Sequence, residues 1–592
     1  MLNRLVRRLE ELVHALKQHL SEKNFLLVSS VLVGFSAALA AVVLKLIVFR
    51  LHDVLTRNYQ VDHQYYYYLL FPGLGILLAV WLEKRFFKGV LSKGTAQVIS
   101  AVMRKGGSLA PEHMYAHVAT SAVTVAFGGS AGLEAPIVVT GSAIGSNYSR
   151  RYRLSPKARN LLLASGAAAG VAASFNAPVA GLLFALEVLL ADVSIAAFIP
   201  LILAAAVGAL LSKLVLGSEI LLNFHLQSDF AARHVPFYLL LGAGCGLVSV
   251  YYSRIFMAIE GWIRPTPRSS YRRAVLGGLW LALLILLFPP LFGEGFETIR
   301  ALAEGKAARL FEVGLLGPYL KGSGWILVAL ALTLFMKAAA VAITLGSGGN
   351  GGNFAPSLMV GALLGYTASA LFEVLGIAHL PSIPFMVVGM AGVLSGVFRA
   401  PLTGIFLIAE LTGGYELMIP LMLVSALSYT VARYLAPLSM DDKKLEESGV
   451  ANLHDRDAVI LSGLRTYQFI ETDFVPVSPG ATLGQIVQAV ASSHRNVFPV
   501  VNERGILVGM VSLDDLRDVM FKQHLYSGIY ASALMRKPYA VVSPNEEVEA
   551  VMRKFEDTGS WNLPVVEDGV YKGFVSKSTL LNRYREQLRQ EE

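Results

Sequence analysis

The chain has 592 residues, of which 54% are hydrophobic and 16% charged. Soluble proteins average roughly 45–50% apolar and about 25% charged, so this chain is too long for one soluble domain and too apolar for several. Its formal net charge of +8 does not point to nucleic acid, because the basic residues are scattered between apolar segments without the aromatic interleaving of a binding face; they read as cytoplasmic loop charges.

Residues 1–24 (MLNRLVRRLEELVHALKQHLSEKN) form an amphipathic, mixed-charge pattern, too polar for a signal-peptide core. A helix on the cytoplasmic membrane surface is expected there. Apolar runs near the length of about 20 residues that a membrane crossing requires follow at Phe25–Phe49, Tyr68–Leu82, Val275–Leu291 and Ile326–Leu345, several of them short or interrupted by glycine. The single Cys245, in the Gly-rich run LLLGAGCGLVSV, excludes an intramolecular disulfide and is expected to serve helix packing.

The membrane region repeats itself. FNAPVAGLLFALE (Phe175–Glu187) matches FRAPLTGIFLIAE (Phe398–Glu410) without a gap at Phe, Ala, Pro, Gly and Glu. Upstream of each copy lies a Gly-rich loop ending in Ala-Pro, GGSAGLEAP (Gly128–Pro136) and GSGGNGGNFAP (Gly346–Pro356), so a whole unit recurs roughly 220 residues later. The stretch after the first loop helix, SRRYRLSPKAR (Ser149–Arg159), is dense in Arg and Lys, whereas its counterpart, LFEVLGIAHLPSIPF (Leu371–Phe385), has neither. By the positive-inside rule equivalent loops face opposite sides, the signature of an inverted repeat with its site near the bilayer midplane.

A Gly-rich loop followed by proline in the first helical turn presents a bare helix N-terminus. Glycine lets backbone N–H groups approach a ligand, and proline pre-sets φ where no N–H is needed. Such an end holds an anion without a full countercharge, so binding is selective and still releasable. A cation pathway would need acidic rings or carbonyl cages, and the membrane region shows no run of Asp and Glu. Glu134 stands directly before Ala135-Pro136. Its carboxylate is a built-in competitor for the anion position: it occupies the site when ionised and leaves it when protonated, which links anion passage to pH. Glu187 and Glu410, placed symmetrically, are expected to bond backbone amides. Glycines at Gly166, Gly170, Gly361 and Gly365 are expected to pack helices.

Past about Leu438 the long apolar runs stop. Two passages from Tyr467 onward share Val-Ser-Pro (Val477–Pro479, Val542–Pro544), Pro-Val-Val (Pro499–Val501, Pro564–Val566) and Gly-x-Val-Ser (Gly509–Ser512, Gly573–Ser576), each in the order strand, helix, strand, turn, strand, helix. They resemble a tandem pair of CBS domains. That resemblance implies an adenine-nucleotide site such as ATP at Ser512 and Asp515, with Ser576 the second-copy hydroxyl and Thr579 in place of its acid, or else a dimerising cap that binds nothing.

As a whole the sequence resembles the CLC family of chloride channels and chloride/proton exchangers. GLEAP (Gly132–Pro136) is similar to the family's Gly-Arg-Glu-Gly-Pro, which implies Glu134 as the gate beside Gly132, Leu133 and Ala135. GNFAP (Gly352–Pro356) is similar to Gly-Ile-Phe-Ala-Pro, which implies anion contacts at Asn353, Phe354 and Ala355. Three positions depart from the pattern. The family's inner serine falls on Lys93, its inner tyrosine on Asp441, and the second, proton-relaying glutamate of its exchangers on Val188. Lys93 is then either an attractor of anions or a partner of Asp441.

The fold class implied is an all-α polytopic membrane domain of CLC-like inverted repeats with re-entrant and broken helices, followed by an α+β tandem CBS module. Its parts are an N-terminal helix (1–24), a transmembrane domain (25–438, repeats about 25–215 and 237–438), a linker (439–466) and CBS domains at 467–525 and 531–588. The function implied is passage of chloride or a similar monovalent anion by a homodimer in the plasma or inner membrane, with both termini cytoplasmic. Val188 favours a Glu134-gated channel, and a proton-coupled exchanger is the alternative. A membrane-anchored nucleotide sensor and a magnesium transporter are readings of other classes, disfavoured by the repeated Gly-rich loops and the missing acidic run. No nucleophile–base pair or metal-ligand spacing points to an enzyme, a metal or a resident cofactor.

Overall fold

The computed structural model describes residues 11, 13–56, 64–87, 91, 94–104, 106–190, 195–217, 231–263, 269–320, 322–413, 415–448 and 465–583. The chain divides into two compact units, Met1–Val450 and Ala451–Glu592.

In the first unit the first half supplies α1 (Glu22–Thr56), α2 (Gln64–Phe86), α3 (Ala96–Arg104), α4 (Ala116–Ala126), α5 (Glu134–Arg151), α6 (Pro156–Phe175), α7 (Pro178–Phe184) and α8 (Ile195–Leu216). The second half supplies α9 (Val235–Ile263), α10 (Ser270–Leu287), α11 (Phe296–Ala303), α12 (Ser323–Gly346), α13 (Phe354–Val374), α14 (Ser382–Phe398), α15 (Pro401–Leu411), α16 (Met418–Leu435) and α17 (Met440–Glu447). Among the described residues, seven helices are long and apolar enough to cross a membrane. Large apolar side chains stay exposed along them, such as Phe35, Leu39 and Leu46 on α1 and Leu279, Trp280 and Leu283 on α10. In water such bands would be a liability, and against lipid they cost nothing. The helices α4, α7, α14 and α15 are apolar but shorter; helix ends in an apolar surround are tolerable only where neighbouring protein satisfies the freed backbone groups.

Matched helical hairpins hold each half together. In α5/α6 a Cβ added to Gly141 would lie 2.2 Å from the Gly166 carbonyl oxygen, and one on Gly166 would lie 2.0 Å from that of Gly141. In α13/α14 the same pairing recurs between Gly361 and Gly389, at 2.3 and 2.4 Å. The backbones therefore touch where the sequence places small residues. Ser155 starts α6 by accepting a hydrogen bond from the Ala158 N–H. Asn176 and Arg399, at matching positions, end α6 and α14 in left-handed conformation (φ 54° and 59°) and turn the chain into α7 and α15.

Of the predicted N-terminal helix, residues 1–10 and 12 lie outside the described residues. The rest packs Val13 against Phe25 and Tyr152, and the Lys17 ammonium donates to the Tyr152 carbonyl at 2.5 Å. This segment thus docks on the end of α5 by protein contact.

In the second unit two antiparallel hairpins repeat, β1 (Val497–Val501) with β2 (Leu507–Ser512) and β3 (Asn562–Glu567) with β4 (Val570–Ser576), each with an irregularity at the equivalent place, Val500/Val501 and Val565/Val566. The two Val-Ser-Pro segments add parallel bridges, Val477 to Val500 and Val542 to Val565. Glu471, near the start of the first copy, exchanges both backbone hydrogen bonds with Phe574 of the second (2.8 and 2.9 Å). The copies are therefore interlocked rather than strung in series.

Candidate functional site

The two Gly-rich loops meet around a local two-fold axis. The Gly132 N–H donates to the Gly352 carbonyl (2.9 Å) and the Gly352 N–H to the Gly132 carbonyl (2.8 Å). Each loop closes on its own preceding helix, Gly129 N–H to Thr124 O (2.9 Å) and Gly349 N–H to Thr344 O (3.0 Å). Each threonine hydroxyl then serves the opposite loop, accepting from Ser130 N–H onto Thr344 (3.2 Å) and from Asn350 N–H onto Thr124 (3.0 Å). Gly128 and Gly348 make the turns possible with φ of +84° and +116°. The result sets the N-termini of α5 and α13 together with no side-chain cap on either; Leu133 and Asn353 occupy the cap positions. The Asn353 side-chain oxygen instead accepts from the Tyr252 hydroxyl (3.0 Å).

Glu134 is 5% exposed. Its carboxylate faces its own backbone N–H and that of Ala355, in the first turn of α13, and its Oε2 is buried without a hydrogen-bond partner. A Cβ at Gly132 would stand 2.2 Å from that oxygen and 3.1 Å from the Ala355 methyl. Only glycine leaves room for the carboxylate. An acidic group of the first half therefore sits on the helix N-terminus of the second, where partial positive charge and free amides would otherwise meet an anion. Phe354 is held by the two repeated phenylalanines, with ring centroids 5.4 Å from Phe175 and 5.3 Å from Phe398, and by Phe184 at 6.2 Å. The rings fix the wall from which the amides are approached.

A cavity runs from Glu134, Val138 and Phe354 to Thr95, Asp441 and Lys444. At that far end the Thr95 hydroxyl donates to the Asp441 carboxylate, and Lys444 pairs with Glu260 at 2.7 Å. A capping box, Ser439 with Asp442, starts α17 and places Asp441 in its first turn. Asp441 thus has a hydroxyl partner two positions from Lys93, which itself lies outside the described residues. Val188 is 7% exposed, in a π-helical turn (Ala185–Leu189) that continues α7.

Glu187 and Glu410 reach across the axis. Glu410 accepts from the N–H groups of Val179 (3.1 Å) and Ala180 (2.9 Å) at the start of α7. Glu187 accepts from Leu402 N–H (3.1 Å), Thr403 N–H (2.8 Å) and the Thr403 hydroxyl (2.8 Å) at the start of α15. Each half caps a helix of the other, which commits both carboxylates to backbone.

Three charged residues of the site are not legible in the motifs. Glu294 Oε1 accepts from the Leu133 N–H at 3.0 Å, next to Glu134. Lys45 of α1 acts electrostatically on both Glu134 and Glu294. Lys337 of α12, wholly buried, acts on Glu294. The available signal was their position, since an ionisable residue inside an apolar run, as at Lys45 and Lys337, marks a functional site by default.

In the second unit Ser512 donates to Asp515 Oδ2 through its N–H (3.0 Å) and hydroxyl (2.6 Å), while Asp515 Oδ1 pairs with Arg536 at 2.6 Å. Ser576 and Thr579 both donate to Glu471 Oε1 at 2.6 Å. Both half-motifs are thus occupied by partners from the chain itself.

The family model described as "Voltage gated chloride channel" matches residues 75–433, and that of the CBS domain matches 467–522 and 531–586. Similar curated proteins include "Chloride channel protein CLC-f" of Arabidopsis thaliana, 28% identical over 76% of this chain and 65% of its own length. Another is "H(+)/Cl(-) exchange transporter ClcA" of Yersinia pestis bv. Antiqua (strain Angola), 34% identical over 51% of this chain and 60% of its own length. In both, the match spans less than two thirds of the relative. Among solved structures, a slow cyanobacterial Cl-/H+ antiporter covers 74% of this chain and 100% of its own (TM-score 0.61, 21% identity). A eukaryotic CLC transporter covers 94% and 97% (TM-score 0.60, 20% identity). The paired Gly-rich helix starts, the reciprocal glutamates and these matches agree: the chain is a multi-pass membrane protein that belongs to the voltage-gated chloride channel family of anion transport proteins and carries a C-terminal pair of CBS domains.

Proposed function

We propose that the protein exchanges chloride, or a similar small monovalent anion, for protons, with Glu134 as the group that both closes the anion site and carries the proton. The observation that carries this reading is the Glu134 carboxylate on the Ala355 amide, with one oxygen buried and unpartnered. An ionised carboxylate and an anion compete for the same helix N-terminus, so the anion gains the site when the carboxylate is neutralised by a proton or moves away. The sequence alone tips toward a channel because Val188 cannot relay a proton. Relatives named exchange transporters and neighbours described as antiporters support exchange instead, with the inner proton reaching Glu134 by groups other than Val188. A homodimer with one pathway per subunit, modulated by the CBS pairs, belongs to the same reading.

The test uses purified protein in liposomes with an outward chloride gradient and no other driving force. Sustained proton uptake against its gradient is expected, and Glu134→Gln should reduce it at least tenfold while chloride still moves. Chloride flux with no accompanying proton flux in the unmodified protein would return the reading to a gated channel.

A further inference from the structure

Four charged side chains from four separate elements converge behind the Glu134 loop. Lys45 comes from α1, Glu134 from α5, Glu294 from the turn before α11, and Lys337 from α12. That turn is fastened on every side. The Gly293 N–H donates to Gly128 O (3.1 Å), the Lys337 ammonium donates to the carbonyls of Gly293 (2.9 Å) and Leu291 (3.3 Å), and Gly295 (φ +105°) abuts Met359. Lys45 donates to the Ser174 carbonyl and acts electrostatically on both carboxylates. The His52 ring, a further titratable group of α1, has its centroid 6.4 Å from that of Phe292 in the turn before Glu294.

Two lysines and two carboxylates sum to zero when all are ionised. An anion that displaces Glu134 from the Ala355 amide adds one negative charge to a region shielded from water, where an uncompensated charge is strongly disfavoured. One proton on the carboxylate pair restores the balance, and two acids in mutual electrostatic contact take it up as a unit. We propose that Glu294 is a second proton-binding group of the transport cycle, titrating as a pair with Glu134 so that a proton enters the pair when an anion takes the Ala355 amide. This rests on the exchange reading for the direction of proton movement; the paired titration does not depend on it. The competing role for Glu294 is a simple tie to the Leu133 N–H.

Glu294→Gln separates the two, because the amide oxygen still accepts from Leu133 while the group no longer titrates. In liposomes, chloride flux is measured against pH, with proton flux in parallel. Glu294→Gln removes a neighbouring negative charge and should move the pH profile of chloride flux by about one unit to lower pH, with the proton-to-chloride ratio reduced at least threefold. Lys45→Gln removes the positive charge acting on both acids and should move the profile the opposite way. If Glu294→Gln fails to fold, Glu294→Asp takes its place: the shortened acid still titrates but draws back from Glu134, and it should move the profile in the same direction by less. A Glu294→Gln protein with the unmodified profile and ratio, or a Lys45→Gln profile that does not move, overturns the paired titration and leaves Glu294 as the Leu133 tie. If the unmodified protein carries chloride without protons, the exchange reading falls alone, and the same two profiles still decide on Glu294.

Discussion

Replacing Glu410 by Ala strips the acceptors from the Val179 and Ala180 N–H groups at the start of α7. A hydrogen bond to an ionised acceptor contributes about 1.5–3 kcal/mol, and amides left unpaired away from water add a desolvation cost. Glu410 is only partly buried, so the low end applies and the two bonds together come to about 2–4 kcal/mol. Glu410→Gln keeps one oxygen acceptor and loses the charge at the helix N-terminus, for about 1–2 kcal/mol. Membrane proteins of this size seldom unfold reversibly, so the measurement is the rate of thermal inactivation of purified protein at a fixed temperature. At about 1.4 kcal/mol per factor of ten, Glu410→Ala should inactivate at least tenfold faster than the unmodified protein, and Glu410→Gln by a smaller factor. Glu187→Ala should do at least as much, since it gives up a third bond, to the Thr403 hydroxyl. The proton-to-chloride ratio of the surviving protein should not change in any of the three. An inactivation rate equal to the unmodified protein's, together with an altered ratio, would refute the capping role and make these carboxylates transport groups.

Gly141→Ala and Gly361→Ala drive a methyl to within 2.2 and 2.3 Å, respectively, of a backbone oxygen on the partner helix; each should cost about 1–3 kcal/mol, read as faster thermal inactivation. Gly244→Ala, with open space around its Cβ, is the control and should be neutral or stabilising by about 0.4–1 kcal/mol. Asp441→Asn keeps an acceptor for Thr95 and removes a negative charge from the cavity wall; chloride flux should rise severalfold, most at low ionic strength where screening is weakest. A flux that falls would mean that the charge is required rather than obstructive. Because Ser512, Asp515 and Ser576 are all engaged within the chain, titration calorimetry with ATP should show no saturable heat at micromolar concentrations; saturable binding lost in Asp515→Asn would overturn this.

Much of the architecture was readable from the residues because it depends on local and periodic features. Apolar length declares a membrane span, Gly-rich loops ending in Ala-Pro declare a bare helix start, and the FNAP and FRAP segments declare a duplication. Glu134 stands out on those grounds alone, as the acid placed directly before a helix-starting Ala-Pro. What lay beyond the sequence was which groups meet. Glu294 stands among ordinary loop residues and becomes part of the site only because its turn is pinned to the Gly128 carbonyl and its carboxylate finds the Leu133 amide. The two repeated glutamates looked equivalent in the chain, and folding gave each the opposite half's helix to cap. In the sequence Asp441 stands opposite Lys93, which attracts anions or pairs with it; among the described residues the fold adds the Thr95 hydroxyl as a donor to Asp441. Spacing along one helix or loop is set by covalent geometry, so sequence alone determines it. Contact between elements distant in the chain depends on how whole helices pack in three dimensions, and only the tertiary structure decided which charges share the buried space around Glu134.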